Sequence, residues 1–85
     1  MENKKIKINL KEFDKVKDFI NVVRNFESDI DLMTNRAIVD AKSVLGIYAL
    51  DLSEDTYVRI ITDNFEEEKD FETAMEAFKW KQLLL

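Results

Sequence analysis

The fold of this chain is decided by the stretch DAKSVLGIYALDL, Asp40 to Leu52, which directly follows a predicted strand. Ser43 stands where a helix N-cap is expected, because its hydroxyl can accept a hydrogen bond from a free amide in the first helical turn. The apolar residues after it are Val44, Leu45, Ile47, Tyr48 and Leu50. Gly46 disfavours a helix here, since glycine costs about 1 kcal/mol relative to alanine in a helix interior. The apolar pattern still predicts a short helix after Ser43.

Upstream of this stretch, alternating residues predict a β-hairpin. Ile30 and Leu32 face one way, and Asp29 and Asp31 face the other, as a strand with one buried face requires. The predicted pieces are a strand from Ser28 to Met33, a turn at Thr34-Asn35 and a strand from Arg36 to Asp40.

Two further elements are predicted before the hairpin. Ile6, Ile8 and Leu10 alternate with polar residues, which predicts a strand from Lys4 to Leu10. Apolar residues at intervals of three and four then predict a helix near Glu12 to Asn25. This stripe consists of Phe13, Val16, Phe19, Ile20 and Val23, and Phe26 extends it.

One strand and one helix are predicted after the short helix. Thr56 to Thr62 is rich in β-branched and aromatic residues and has the strongest strand propensity in the chain. Asp63 or Asn64 can then cap a last helix. The buried stripe of that helix consists of Phe71, Ala74, Met75 and Phe78. Trp80 to Leu85 breaks the helical pattern, so the role of Leu83 to Leu85 stays open.

The predicted order is therefore βαββαβα, in one domain that spans residues 1–85. Two amphipathic helices on one face of a largely antiparallel four-stranded sheet would bury both apolar stripes and leave the other face to water. We expect an α+β fold of this kind, an open-faced β-sandwich.

Composition excludes several classes of function. The net charge of -5 disfavours nucleic acid as a partner, because binding to phosphates relies on clustered Lys and Arg. No apolar run is long enough to span a membrane, and cysteine is absent, so we expect a cytoplasmic protein without a membrane partner. Histidine is absent as well, which removes Ser-His pairs, zinc-histidine sites and phosphohistidine. We expect no cofactor and no metal, since the acidic residues from Glu66 to Glu72 lack the spacing of a calcium loop.

With this order of elements, the chain resembles the HPr family, the histidine-containing phosphocarrier proteins of the bacterial sugar phosphotransferase system. The resemblance is carried by AKSVLGIYALDL, Ala41 to Leu52, which is similar to the family's regulatory-serine segment. It implies an HPr-like fold over nearly the whole chain.

The resemblance also locates the family's phosphorylation site. In the family a histidine at the start of the first helix carries the phosphate, and an arginine two residues later stabilises it. These positions fall near Glu12 and Asp14 here. Transfer by the histidine mechanism is therefore excluded, and the chain is similar in this respect to catabolite-repression HPr. A glutamyl phosphate at Glu12 competes with a simpler interpretation, in which Glu12 only interacts with the helix dipole.

Ser43 has two interpretations that the sequence leaves open. It is either a helix cap alone, or also a phosphorylation site like the regulatory serine of the resembled family. Lys42 favours the second interpretation through its charge, whereas Asp40 disfavours it. Val44, Leu45 and Tyr48 are similarly open, either as core residues or as the residues that bind partners in the resembled family.

The leading hypothesis is a non-enzymatic, HPr-like regulatory or adaptor protein that binds partners through Ser43 to Leu52. The resemblance implies protein partners such as a serine kinase, a transcriptional regulator or phosphotransferase components. One alternative is a phosphocarrier that uses a carboxylate. The other is a structural or oligomerising module that has lost the pathway.

Overall fold

The computed structural model of the chain describes residues 4–80, in which four strands and three helices follow the predicted order. The elements are β1 (Ile6–Ile8), α1 (Phe13–Val23), β2 (Asp29–Met33), β3 (Ile38–Asp40), α2 (Val44–Ala49), β4 (Thr56–Ile61) and α3 (Phe65–Met75). The predicted order βαββαβα is confirmed. The open question about Leu83 to Leu85 lies outside the described residues.

The four strands form one sheet in the order β1-β4-β2-β3, and all neighbouring strands are antiparallel. The longest pairing joins β2 to β4, from Asp29 opposite Ile61 to Met33 opposite Tyr57. The largely antiparallel sheet is therefore confirmed. Because side chains alternate along each strand, this register fixes which residues share a face.

One face of the sheet is covered by the helices and forms the core. The sheet residues in this core are Ile6, Ile8, Ile30, Leu32, Val58 and Ile60. Helix α1 adds Val16, Phe19 and Val23, and α3 adds Phe71 and Met75. Two edge-to-face aromatic pairs lie here, Phe19 with Phe78 at 5.6 Å and Phe26 with Phe71 at 5.5 Å between ring centroids.

Phe13 does not join the core, although its spacing from Val16 predicts that it would. It is the first residue of α1 and is 64% exposed. Side chains in a helix tilt toward its N-terminus, so the first one projects beyond the packed turn. The prediction that Phe13 belongs to the buried stripe is therefore wrong.

Phe78 is buried, but not as part of the last helix. Helix α3 ends at Met75, and Phe78 follows in a turn in which its N–H donates to the Met75 carbonyl. The chain then runs along β1, where the Asn9 N–H donates to the Phe78 carbonyl at 2.7 Å and the Trp80 N–H donates to the Lys7 carbonyl at 3.2 Å. This segment thereby occupies part of the free edge of β1.

Polar contacts fix the start of α3. Of the two predicted caps, Asn64 is the one used, and its Oδ1 accepts from the Glu66 and Glu67 amides. Glu67 in turn accepts a hydrogen bond from the Ser28 hydroxyl at 2.5 Å. This bond, together with one from Thr62, lowers the pKa of Glu67. The beginning of α3 is thus joined to the loop that precedes β2.

Phe19 and Phe13 form a matched pair for testing the core. We expect Phe19→Ala to lower the free energy of unfolding by about 3 to 5 kcal/mol, because Phe19 is fully buried and packs on Phe78. Phe13→Ala should change it by less than about 0.5 kcal/mol, as exposed sites do. Urea titration followed by circular dichroism measures both values, and equal losses would contradict this account of the core.

Candidate functional site

The candidate site is centred on Ser43, which begins helix α2. The backbone of Ser43 is extended, with φ of -98° and ψ of 110°, while its carbonyl already accepts the first helical hydrogen bond from Ile47. Its Oγ accepts from the Gly46 N–H at 3.1 Å. The predicted capping role of Ser43 is therefore confirmed.

Gly46 lies in this helix for a steric reason. A Cβ atom at this position would stand 3.3 Å from the Cβ and Oγ atoms of Ser43 and 3.3 Å from the Cβ of Val39 on β3. Glycine lets α2 approach both groups closely, which offsets its low helix propensity. The close approach also holds the Gly46 amide at the Ser43 hydroxyl.

The residues before Ser43 are fixed by local hydrogen bonds. Asp40 Oδ1 accepts from the Lys42 amide at 2.9 Å, and the Asp40 carbonyl accepts from the Ser43 amide. The Lys42 Nζ donates to the Phe26 carbonyl at 2.5 Å. The ammonium of Lys42 is thus engaged in the loop after α1, and the expectation that it would favour a phosphate on Ser43 loses its basis.

Helix α2 exposes three large apolar side chains, which we call the α2 patch: Val44, Leu45 and Tyr48. They are 38%, 86% and 50% exposed, respectively. Ile47 is the fully buried residue of the helix and anchors it to the core. The alternative in which the α2 patch is core is therefore wrong. An exposed apolar cluster is typical of protein-binding surfaces.

A short loop ends the segment. Leu50 and Leu52 are partly buried against the core, and Asp51 between them is exposed. Asp51 Oδ1 accepts from the Ser53 hydroxyl at 2.5 Å and from the Ser53 amide at 3.1 Å. These bonds favour the carboxylate, so they lower the pKa of Asp51.

Glu12 and Asp14 lie at the start of α1, on a different element from Ser43. Glu12 is the N-cap residue, but its exposed side chain makes no capping hydrogen bond, and Asp14 is exposed in the first turn. Glu12 lines a surface cavity of about 210 Å³ together with Lys15 and Lys79. Both lysines already have partners, since Lys15 Nζ donates to the Ala77 carbonyl and Lys79 pairs with Glu76.

This cavity joins a segment near the start of the described residues to one near their end, which the sequence pattern does not predict. Its wall from the C-terminal side is Ala77 to Lys79, and the helical spacing had predicted Phe78 on the last helix. Only the return of the chain along β1 brings these residues to the start of α1. No periodic pattern in the sequence predicts that this segment pairs with β1.

The comparisons with known proteins bear on this arrangement. Residues 15–79 match the family described as the PTS HPr component phosphorylation site, where PTS is the phosphotransferase system. The chain belongs to the HPr family. The match includes Ser43 and all of α2, but it begins after Glu12 and Asp14.

Solved structures show the same fold. The phosphocarrier protein HPr from Bacillus anthracis strain Ames is similar with a TM-score of 0.68 at 22% identity, over 91% of this chain and 95% of that one. HPr-C-His from Thermoanaerobacter tengcongensis is similar with a TM-score of 0.66 at 24% identity, over 88% of this chain and 90% of that one. No curated protein sequence matches the chain. The HPr-like fold predicted from the sequence is therefore confirmed.

Two further observations concern the described residues alone. Between residues 4 and 80, no three acidic side chains are grouped so that they could hold a metal ion. In the same range, every helix is too short or too polar to cross a lipid bilayer.

The capping bond predicts the effect of changes at Ser43. Ser43→Ala should lower the free energy of unfolding by about 0.5 to 2 kcal/mol, because the Gly46 amide loses its acceptor. Ser43→Asp should keep most of that energy, since aspartate is also a good N-cap. Chemical denaturation of the three proteins tests this, and equal stability of Ser43→Ala and the original chain would contradict it.

The Ser53 bonds predict a pH dependence for the loop after α2. Ser53→Ala should raise the pKa of Asp51, while Ser28→Ala should raise that of Glu67 and leave Asp51 unchanged. A lowered folded-state pKa stabilises the fold above the unfolded value of about 3.9 for Asp, and this contribution is lost as the pH falls through the folded value. Carboxyl NMR titration measures each pKa. An unchanged pKa of Asp51 in Ser53→Ala would refute the statement that the Ser53 hydroxyl lowers it.

Proposed function

We propose that this HPr-family protein is a non-enzymatic regulator or adaptor that binds protein partners of the phosphotransferase system through Ser43 to Leu52. The observation that carries the proposal is the α2 patch, an exposed apolar cluster directly after Ser43. Apolar surface of this kind is stabilised when a partner covers it.

The absence of histidine supports a role without phosphate transfer. No residue of the 85 can form a phosphohistidine. At the start of α1, Glu12 and Asp14 carry negative charge where the family binds a phosphoryl group. Two carboxylates beside an incoming anion raise the energy of the bound state, so this end of the helix is a poor phosphate acceptor.

We further propose that phosphorylation of Ser43 switches the binding of partners. Ser43 directly precedes the α2 patch and is a partly exposed residue. A phosphate would add about 1.5 to 2 negative charges at pH 7 beside this apolar surface. It would disfavour partners that pack on the α2 patch through apolar contacts and favour those that supply an arginine. We place these events in the cytoplasm.

The deciding experiment compares two phosphate donors on the same protein. With ATP and an HPr serine kinase, we expect one phosphate, located on Ser43 by mass spectrometry and absent from Ser43→Ala. With phosphoenolpyruvate and the general phosphotransfer enzyme, we expect no label. A hydroxylamine-sensitive adduct on Glu12 in the second reaction would instead favour the carboxylate phosphocarrier and overturn the proposal.

Binding to the kinase tests the α2 patch directly. Leu45→Ser should weaken binding at least about tenfold, equivalent to about 1.4 kcal/mol, because it removes the most exposed apolar residue of the patch. Phe65→Ser is the matched control, since Phe65 is 69% exposed on another helix. Isothermal titration calorimetry gives both affinities. Equal affinities of the two variants would show that the α2 patch does not bind this partner.

A further inference from the structure

The edge of the sheet at β1 carries a group of lysines around Trp80, the only tryptophan of the chain. We call this group the Trp80 cluster and define it as Lys5, Lys7, Lys11 and Trp80. The Trp80 side chain is 44% exposed, and Lys5 and Lys11 are exposed as well. The cluster shares no residue with Ser43 or the α2 patch, so it is a surface that the proposed function does not use.

Backbone hydrogen bonds bring these residues together. The Trp80 N–H donates to the Lys7 carbonyl at 3.2 Å, which fixes Trp80 beside the outer edge of β1. After β1 the Lys11 amide donates to Asn9 Oδ1 at 3.0 Å, and this bond turns the chain. Lys5 and Trp80 line one surface cavity of about 340 Å³. Residues from two distant parts of the sequence therefore form one surface.

The ring of Trp80 holds two of the ammonium groups. Lys7 Nζ lies 4.9 Å from the ring centroid, and Lys11 Nζ lies 5.3 Å from it. A tryptophan ring attracts a cation at such distances through its quadrupole. The ring thus restricts two long side chains before a partner arrives, which reduces the conformational entropy that binding would cost.

The cluster keeps positive charge that no neighbour neutralises. Three carboxylates line surface clefts with Trp80, and each is already in an ion pair. They are Asp55 with Lys7 at 3.6 Å, Glu72 with Lys4 at 3.1 Å and Glu54 with Arg36 at 3.8 Å. Within residues 4–80, neither Lys5 nor Lys11 forms an ion pair. Their charges are available to an anionic partner.

We infer that the Trp80 cluster binds an acidic peptide segment of a protein partner, whose carboxylates lie at Lys5 and Lys11 and beside Trp80. The ammonium groups and the indole N–H are all hydrogen-bond donors, and carboxylate oxygens are the matching acceptors. Opposite charges on the two surfaces also steer association and select the partner. Nucleic acid fits less well, because its phosphates continue beyond the cluster onto a chain whose net charge is -5.

Trp80 itself is the reporter for the test, since no other tryptophan contributes to the fluorescence of the chain. Titration of the full chain with an oligoglutamate peptide should change the Trp80 emission to a plateau. Raising the salt concentration from about 50 mM to about 300 mM should weaken this binding at least about threefold, because salt screens exposed charges.

Charge reversal locates the binding site. Lys5→Glu and Lys11→Glu should each weaken binding of the peptide at least about fivefold, because each reverses a charge of the cluster. Lys17→Glu is the matched control, since Lys17 is an exposed residue of α1 outside the cluster and the net charge changes equally. It should change the affinity less than about twofold. Circular dichroism verifies that the three variants fold.

A change at Trp80 tests whether the ring positions the lysines. Trp80→Leu should weaken binding about threefold in calorimetry, because Lys7 and Lys11 lose the ring that holds their ammonium groups. Leu45→Ser should leave the affinity for oligoglutamate unchanged, which separates this site from the α2 patch.

Three results would overturn the inference. The first is an unchanged Trp80 emission at about 1 mM peptide. The second is an equal loss of affinity in Lys17→Glu and Lys11→Glu, which would show that net charge alone decides binding. The third is tighter binding of an oligothymidylate than of oligoglutamate at the same salt concentration, which would favour nucleic acid. None of these results concerns the α2 patch, so failure here leaves the proposed function intact.

Discussion

The structure depends on one constraint, which is that a chain of 85 residues can build a single core and only one face of its sheet can be covered. Helices α1 and α3 supply the apolar stripes that cover this face, and Phe19 and Phe78 pack edge to face within it. The chain reaches this packing from both ends, because the segment after α3 returns along β1. Among residues 4–80, no segment covers the other sheet face or most of α2.

The exposure of α2 follows from its length and its anchoring. A helix of six residues has fewer than two turns, so it can direct only a few side chains to the core, and Ile47 is the one that is buried. Gly46 faces Val39 and Ser43 closely, which fixes how the helix lies on β3. The other large side chains of the helix, Val44, Leu45 and Tyr48, therefore point away from the core. The α2 patch is thus a consequence of how the helix packs on β3. The same close packing at Gly46 brings its amide to the capping hydroxyl of Ser43.

Periodicity predicted the fold well, because alternation and helical spacing report which side of an element is buried. Periodicity gave wrong predictions for residues at the ends of helices. Phe13 fits the spacing of the α1 stripe, but it lies in the first turn of the helix, beyond the packed region. Phe78 is buried as predicted, but it lies in the turn after α3 and not in the helix that the spacing predicts. Lys42 stands next to Ser43 in sequence, but its ammonium binds the Phe26 carbonyl. Contacts between residues distant in sequence decide such cases, and a single sequence does not encode them as a local pattern.

The sequence contains no histidine, so this fold cannot carry a phosphohistidine here. In the HPr family the start of the first helix receives a phosphate, and a helix N-terminus favours an anion there. In this chain the acidic residues Glu12 and Asp14 lie at the start of α1, and under the proposed function we expect them to disfavour a further anion there. We propose that this chain acts through a surface rather than a nucleophile, because an exposed apolar patch lies beside the capping serine and apolar surface is stabilised when a partner covers it.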